Sequence, residues 1–121
     1  MAVTGTLICE SLAPNADLTA ELTIHRLYRS AVESPAPGQP AVWTLLDFTC
    51  PEAAITAVAE QLAAHLLPGL WYVDAHSEAW KYVVFAGRVF VFARTDTAAS
   101  LAAVAYGRSV GVPESQLDWP L

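Results

Sequence analysis

The chain has 121 residues, of which 55% are apolar and only 15% charged, and its formal net charge at pH 7 is −6. This length corresponds to one domain with one hydrophobic core, so we expect a single domain over residues 1–121. The six Lys and Arg residues are spread along the chain. They form no clustered basic patch of the kind that nucleic acid or an anionic membrane surface favours, so neither is an expected partner.

The sequence contains no targeting or membrane-spanning signal. The first ten residues have no basic n-region and end on Glu10, which is unlike a signal peptide. The most apolar window, residues 53–73, is interrupted by charged and helix-breaking residues and is not a transmembrane helix. Two cysteines, Cys9 and Cys50, are too few for a disulfide scaffold. We therefore expect a cytoplasmic protein.

The first half of the chain predicts three strands. Residues 6–12 are rich in β-prone side chains and end at the turn signal Pro14-Asn15. Residues 22–32 mix β-branched and aromatic residues with charges and are interpreted as a strand, although a helix also fits their spacing. Residues 34–40 contain three prolines and a glycine and predict a hairpin loop. Residues 42–49 predict the strand that follows this loop.

The second half predicts two helices around three more strands. Cys50-Pro51-Glu52 is expected to begin a helix that ends at Pro68-Gly69. Strands follow at residues 70–78, 80–85 and 88–93, the last two joined by a tight turn at Ala86-Gly87. Asp96 or Thr97 is expected to cap the second helix, and Gly111 to end it, before a last turn at residues 113–115. The helix positions expected to face the core are Ile55, Val58, Ala59, Leu62 and Leu66 in the first helix, and Leu101, Val104, Ala105 and Arg108 in the second.

The element order is therefore β-β-β-α-β-β-β-α, which predicts an α+β fold. We expect an antiparallel or mixed sheet of about five or six strands, with both helices on one face. This order resembles a variant of the ferredoxin-like group, the α/β plait. The resemblance rests on element order alone and implies nothing specific about function.

Alternation along the strands assigns large aromatic residues to one sheet face. The smaller apolar residues fall on the opposite side, where they would pack under helices. A solvated sheet face does not usually carry several large aromatic side chains, so this face is predicted to be a subunit interface or the wall of a pocket. The residues expected to bind a ligand there are Trp43, Tyr72, Arg88, Phe90 and Phe92.

Three ionisable residues, Asp74, His76 and Glu78, alternate along one predicted strand and would point to the same side. A histidine between carboxylates suits general acid–base catalysis. Neighbours on one strand face lie roughly 7 Å apart, so they do not converge on one metal ion by themselves. The alternative interpretation is a solvated strand end, and both stay open at this point.

Cys50 is the other candidate for chemistry, because a thiol at a helix N-terminus has a lowered pKa. The alternative is a structural, half-buried cysteine. No glycine pattern in the sequence cradles a phosphate or a dinucleotide, so no cofactor is expected.

Two functional hypotheses follow from these patterns. The first is a non-catalytic protein that binds a small apolar or aromatic ligand, or a protein partner, on the aromatic face. The second is a small cofactor-independent enzyme of the dimeric α+β barrel type, with Asp74 and His76 as acid and base. The high apolar content favours a homodimer in either case.

Overall fold

Hydrogen bonding joins six strands into one antiparallel sheet in this computed structural model, which describes residues 2–121. The spatial order is β2-β3-β1-β4-β5-β6, so β2 and β6 form the two edges. Helix α1 (Ile55–His65) follows β3 and helix α2 (Thr97–Val110) follows β6. Neither helix within this range is long and apolar enough to cross a membrane. The strands are β1 (Ala2–Ile8), β2 (Thr23–Ala31), β3 (Val42–Pro51), β4 (Val73–His76), β5 (Trp80–Phe85) and β6 (Arg88–Ala93).

Local signals place most elements as predicted. The segment that also fitted a helix is the strand β2, paired with β3 across the proline-rich loop. The β5–β6 hairpin turns at Gly87, whose φ of +73° favours glycine. The Asp96 side chain accepts a hydrogen bond from the Ala99 backbone N–H at 3.0 Å and so caps α2. Strand β4 spans only Val73–His76 and is therefore shorter at both ends than the predicted strand at residues 70–78.

Helix α1 covers one face of the sheet. All five of its predicted core positions are buried, and they pack in one cluster with Val3, Phe48 and Val84 from the strands. Gly5 makes this packing close, since a Cβ there would lie 2.6 Å from the Phe48 ring. This side of the sheet carries the smaller apolar residues, as alternation predicted.

Helix α2 lies on the other face. Its cluster contains Val83 and Phe85 from β5, whereas the α1 cluster contains Tyr82 and Val84 from the same strand. Because successive strand residues point to opposite faces, the two helices are on opposite sides of the sheet. The prediction of both helices on one face was therefore wrong. The α+β class is confirmed, but the strand order is not that of the ferredoxin-like plait.

The core-facing side of α2 also differs from the prediction. Its buried residues are the small ones, Ser100, Ala103 and Gly107, whereas Leu101 is 62% exposed. A Cβ at Gly107 would lie 2.7 Å from Leu117 and 3.0 Å from Phe85. The helix therefore approaches the sheet through small side chains, and the large aromatic residues of the sheet fill the remaining space.

Candidate ligand-binding cleft

Helix α2 covers the aromatic face only in part. Across residues 2–121, the strand residues in its cluster come from β5 and β6 and not from β1, β2 or β3. Phe92 is buried there, and Phe90 packs against Phe85 and Tyr106 with ring centroids 5.8 and 5.4 Å away. Arg88 stacks over the Phe90 ring at 4.6 Å. The structure thus places Arg88, Phe90 and Phe92 in or around the α2 core and not on an open surface, which corrects that part of the predicted site.

A cleft remains where the uncovered part of this face meets the chain that follows α2. Its volume is about 230 Å³. Strands β1 and β3 form the floor, the segment leading into β4 forms one wall, and the C-terminal segment forms the other. The lining residues are Thr6, Ile8, Trp43, Leu45, Leu70, Trp71, Tyr72, Asp74, Ser115, Gln116 and Asp118.

Three aromatic rings of the lining are held by neighbours within the protein. The rings of Trp43 and Trp71 meet edge to face, with centroids 5.4 Å apart. The Trp43 indole N–H donates to the Pro40 carbonyl at 3.0 Å. Tyr72 meets the Trp119 ring edge to face at 5.3 Å. Because each ring has a fixed partner, the apolar walls of the cleft are preorganised.

Two glutamine side chains hold the rim of the cleft. Gln39, in the loop between β2 and β3, and Gln116, in the C-terminal segment, exchange hydrogen bonds of 3.0 and 2.8 Å. Gln39 also donates to the Leu70 carbonyl at 3.3 Å. The Tyr72 hydroxyl donates to the Gln116 carbonyl oxygen. These bonds join three segments that are distant in sequence around one opening.

A polar row crosses the floor of the cleft. Thr6 in β1 lies opposite Asp47 on β3 and opposite Asp74 on β4. Its hydroxyl donates to Asp47 Oδ1 at 2.8 Å. The ammonium of Lys81 donates to Asp74 Oδ2 at 2.7 Å, and the side chain of Lys81 is only 1% exposed against 31% for Asp74. The Asp74 carboxylate therefore pairs with the buried Lys81 ammonium and also lines the cleft.

The electrostatic environment of the cleft is negative. Burial raises the pKa of the Tyr72 hydroxyl, and the charges of Asp74 and Asp118 raise it further. The hydroxyl therefore stays protonated, as its hydrogen bond to Gln116 requires. No cationic side chain belongs to the lining in the part of the chain that the structure describes.

His76 and Asp74 share a sheet face, as predicted, but His76 is not part of the cleft lining. Burial lowers the pKa of the His76 imidazole, the charges of Arg94 and Lys81 lower it further, and Asp74 opposes them. Glu78 lies exposed beyond the end of β4. The structure brings only the aspartate of this predicted trio to the cleft.

Cys50, the other residue proposed for chemistry, lies away from the cleft, as does His25 on the neighbouring strand. His25, on the edge strand β2, bonds to the Thr49 hydroxyl at 2.7 Å. Cys50 lies inside β3, buried against α1, and a 3-10 turn at Glu52–Ala54 separates it from the helix. Burial raises the pKa of the Cys50 thiol, and the charge of Glu21 adds to this. The expected position of Cys50 at a helix N-terminus was therefore wrong.

Of the predicted ligand-binding residues, Trp43 and Tyr72 line the cleft. Thr6, Trp71, Gln116 and Asp118 also line the cleft and were not predicted from the sequence. Trp71 precedes β4, which begins at Val73, so alternation along the strand does not fix the side on which its ring lies. The C-terminal residues carry a single local signal, the tryptophan at 119, which is buried and anchors the segment through an indole N–H to Ser100 Oγ bond of 3.0 Å.

Comparisons with known proteins leave the assignment to the geometry. No protein-family model, curated protein or solved structure matches the chain. Over residues 2–121, no group of three or more His, Cys, Asp or Glu side chains is arranged to hold a metal ion. The cleft, with its aromatic walls and acidic floor, is thus the feature from which function is argued.

Proposed function

We propose that this protein is a non-catalytic binding protein and that the cleft is its binding site. The observation that carries the proposal is the set of three preorganised aromatic rings, Trp43, Trp71 and Tyr72, around a concave part of the uncovered sheet face. Concave sites with apolar walls and a few polar groups are the usual form of ligand sites.

The size of the cleft limits its occupant. Its volume of about 230 Å³ lies below the roughly 300–1,000 Å³ of sites for drug-sized ligands. The occupant is accordingly a small molecule, in contact with the indole of Trp43 and the carboxylate of Asp74.

No specific observation favours the enzyme hypothesis over binding. Asp74 Oδ2 is held by the ammonium of Lys81, which commits that oxygen to a structural partner. His76, the expected base, lies outside the lining. If the protein were nevertheless an enzyme of this site, His76→Ala would abolish turnover and weaken ligand binding by only about 1 kcal/mol, the size of one polar contact.

A pair of tryptophan variants tests the binding site. Ligands found by thermal-shift screening of the wild-type protein are titrated against Trp43→Ala and against Trp80→Ala. Trp80 is 44% exposed and lies at the start of β5, outside the cleft, so it serves as the matched control. We expect affinity to fall about 30-fold in Trp43→Ala, equivalent to about 2 kcal/mol for an aromatic anchor, and to stay unchanged in Trp80→Ala. Equal affinities in the wild type and Trp43→Ala would refute the cleft as the site.

A further inference from the structure

We propose that the cleft selects a small organic ammonium ion. This inference rests on the binding function proposed above and adds the chemical class of the ligand. Three properties of the lining support it, namely its charge, its free hydrogen-bonding groups and its aromatic rings.

The charge of the lining favours a cation. Its two charged side chains, Asp74 and Asp118, are both acidic. Lys81 offsets the charge of Asp74 from the buried side, and its own side chain does not reach the cleft surface, since it is 1% exposed. The exposed Asp118 adds a second carboxylate at the wall. A chain with a net charge of −6 also attracts cations over longer distances.

The hydrogen-bonding groups of the lining leave acceptors free. Three donors are committed within the protein: the Tyr72 hydroxyl to the Gln116 carbonyl, the Trp43 indole to the Pro40 carbonyl, and the Thr6 hydroxyl to Asp47. Lys81 occupies only the Oδ2 atom of Asp74, so Oδ1 and the Asp118 carboxylate can accept bonds from a ligand. A ligand that donates hydrogen bonds to these carboxylate oxygens therefore complements the cleft.

The aromatic walls distinguish an organic cation from a metal ion. Indole and phenol rings attract an ammonium group over their faces, and they also bury the carbon atoms attached to it. A hard metal ion instead requires several oxygen ligands, and two carboxylates on separate segments do not supply them. Trp43, Trp71 and Tyr72 thus favour an ammonium that carries an apolar substituent.

A ligand series with one frame and three charges tests the inference. Benzylammonium, benzyl alcohol and benzoate are titrated at low ionic strength into the wild-type protein, and binding is followed through the indole N–H NMR signals of Trp43 and Trp71. The signal of Trp80 is the internal control. We expect benzylammonium to bind about tenfold more tightly than benzyl alcohol, the effect of one charge-assisted contact, and benzoate to bind least.

Two variants that remove one negative charge each complete the test. Asp118→Asn should reduce the preference for benzylammonium over benzyl alcohol at least threefold, whereas Asp17→Asn, which changes an exposed carboxylate between β1 and β2, should leave it unchanged. Asp74 is not varied here because Lys81 depends on it.

The outcomes separate the two proposals. Equal binding of the three probes at the cleft, a preference for benzoate, or no binding of benzylammonium overturns the ammonium inference and leaves the cleft as a site for another ligand. Binding that perturbs Trp80 but neither Trp43 nor Trp71, and that Trp43→Ala does not weaken, refutes the proposed site itself.

Discussion

The buried ion pair between Lys81 and Asp74 predicts an unequal response to the loss of either partner. Asp74→Ala leaves an ammonium that is 1% exposed without its carboxylate, whereas Lys81→Met leaves a carboxylate that is 31% exposed and can bind water. Methionine also retains most of the apolar stem that lysine contributes to the core. The first change should therefore be much more destabilising than the second.

Magnitudes follow from the burial of each partner. Breaking a buried pair costs about 3–5 kcal/mol, and access of water from the cleft places Asp74→Ala at the lower end, about 3 kcal/mol. Lys81→Met should cost about 1 kcal/mol or less, because replacing a buried charge by an apolar side chain removes its desolvation penalty. The double variant should then cost about as much as Lys81→Met alone, which gives a coupling energy of about 3 kcal/mol, equal to the cost of Asp74→Ala.

Urea unfolding of the four proteins measures this cycle. With a denaturant dependence of about 1–3 kcal/mol per molar urea, a loss of about 3 kcal/mol lowers the midpoint by about 1–3 M. The exposed pair of Arg108 and Glu114, with side chains 57% and 66% exposed, is the matched control, and Glu114→Ala should cost less than about 1 kcal/mol. Equal losses in the two single variants, or a coupling energy below about 1 kcal/mol, would refute the reasoning.

Four further predictions concern other parts of the fold. Because the pKa of His76 is lowered in the folded state, this imidazole binds a proton at higher pH in the unfolded chain than in the folded protein. The free energy of unfolding should therefore fall as the pH drops below about 6.5, by at most about 1.4 kcal/mol per pH unit. Urea unfolding measured over a pH series should show this component in the wild type and not in His76→Gln. Gly107→Ala should lower the free energy of unfolding by about 1 kcal/mol, since overpacking against Leu117 outweighs the gain in helix propensity. In a Leu117→Ala background, the same Gly107→Ala change should cost less. Alkylation of Cys50 at neutral pH should be slower than that of the half-buried Cys9 and of a free model thiol. Faster alkylation of Cys50 than of both would instead support the hypothesis of an activated thiol. The homodimer predicted from the apolar content stays a prediction, and the exposed edge strand β2 offers a surface for it. Sedimentation that shows only monomer at tens of micromolar, roughly the range where small interfaces dissociate, would contradict it.

Signals confined to a few residues predicted the elements well. A glycine at position 87 between two β-prone runs, an aspartate at position 96 before a helical segment, and a loop with three prolines each fix a local conformation without help from the rest of the chain. Alternation also placed Tyr72, Phe90 and Phe92 together on one face of the sheet, where the structure has them.

The alternation of apolar and polar residues along the strands could not predict which face of the sheet each helix covers. Periodicity says which residues share a face, but the path of the chain decides what covers that face. One signal did exist, because β5 is apolar on both sides, with Tyr82 and Val84 on one and Val83 and Phe85 on the other. A strand of this kind must be covered twice. Phe90 and Phe92 of the neighbouring strand β6 accordingly pack with α2 and do not lie on the open face that had been predicted.

The partial cover of one sheet face links the fold to the proposed site. Helix α2 lies over β5 and β6, and the chain after it returns past Tyr72 to form a wall of the cleft. The lining thus runs from Thr6 in the first strand to Asp118 in the C-terminal segment, so the cleft forms only when segments from both ends of the chain are folded together. A ligand that bridges these segments binds only the folded protein, so its binding free energy should appear in the stability of the whole domain. At a free ligand concentration 100 times the dissociation constant this amounts to about 2.7 kcal/mol. A thermal shift therefore reports ligand binding to the folded protein, and its loss in Trp43→Ala would assign that binding to the cleft.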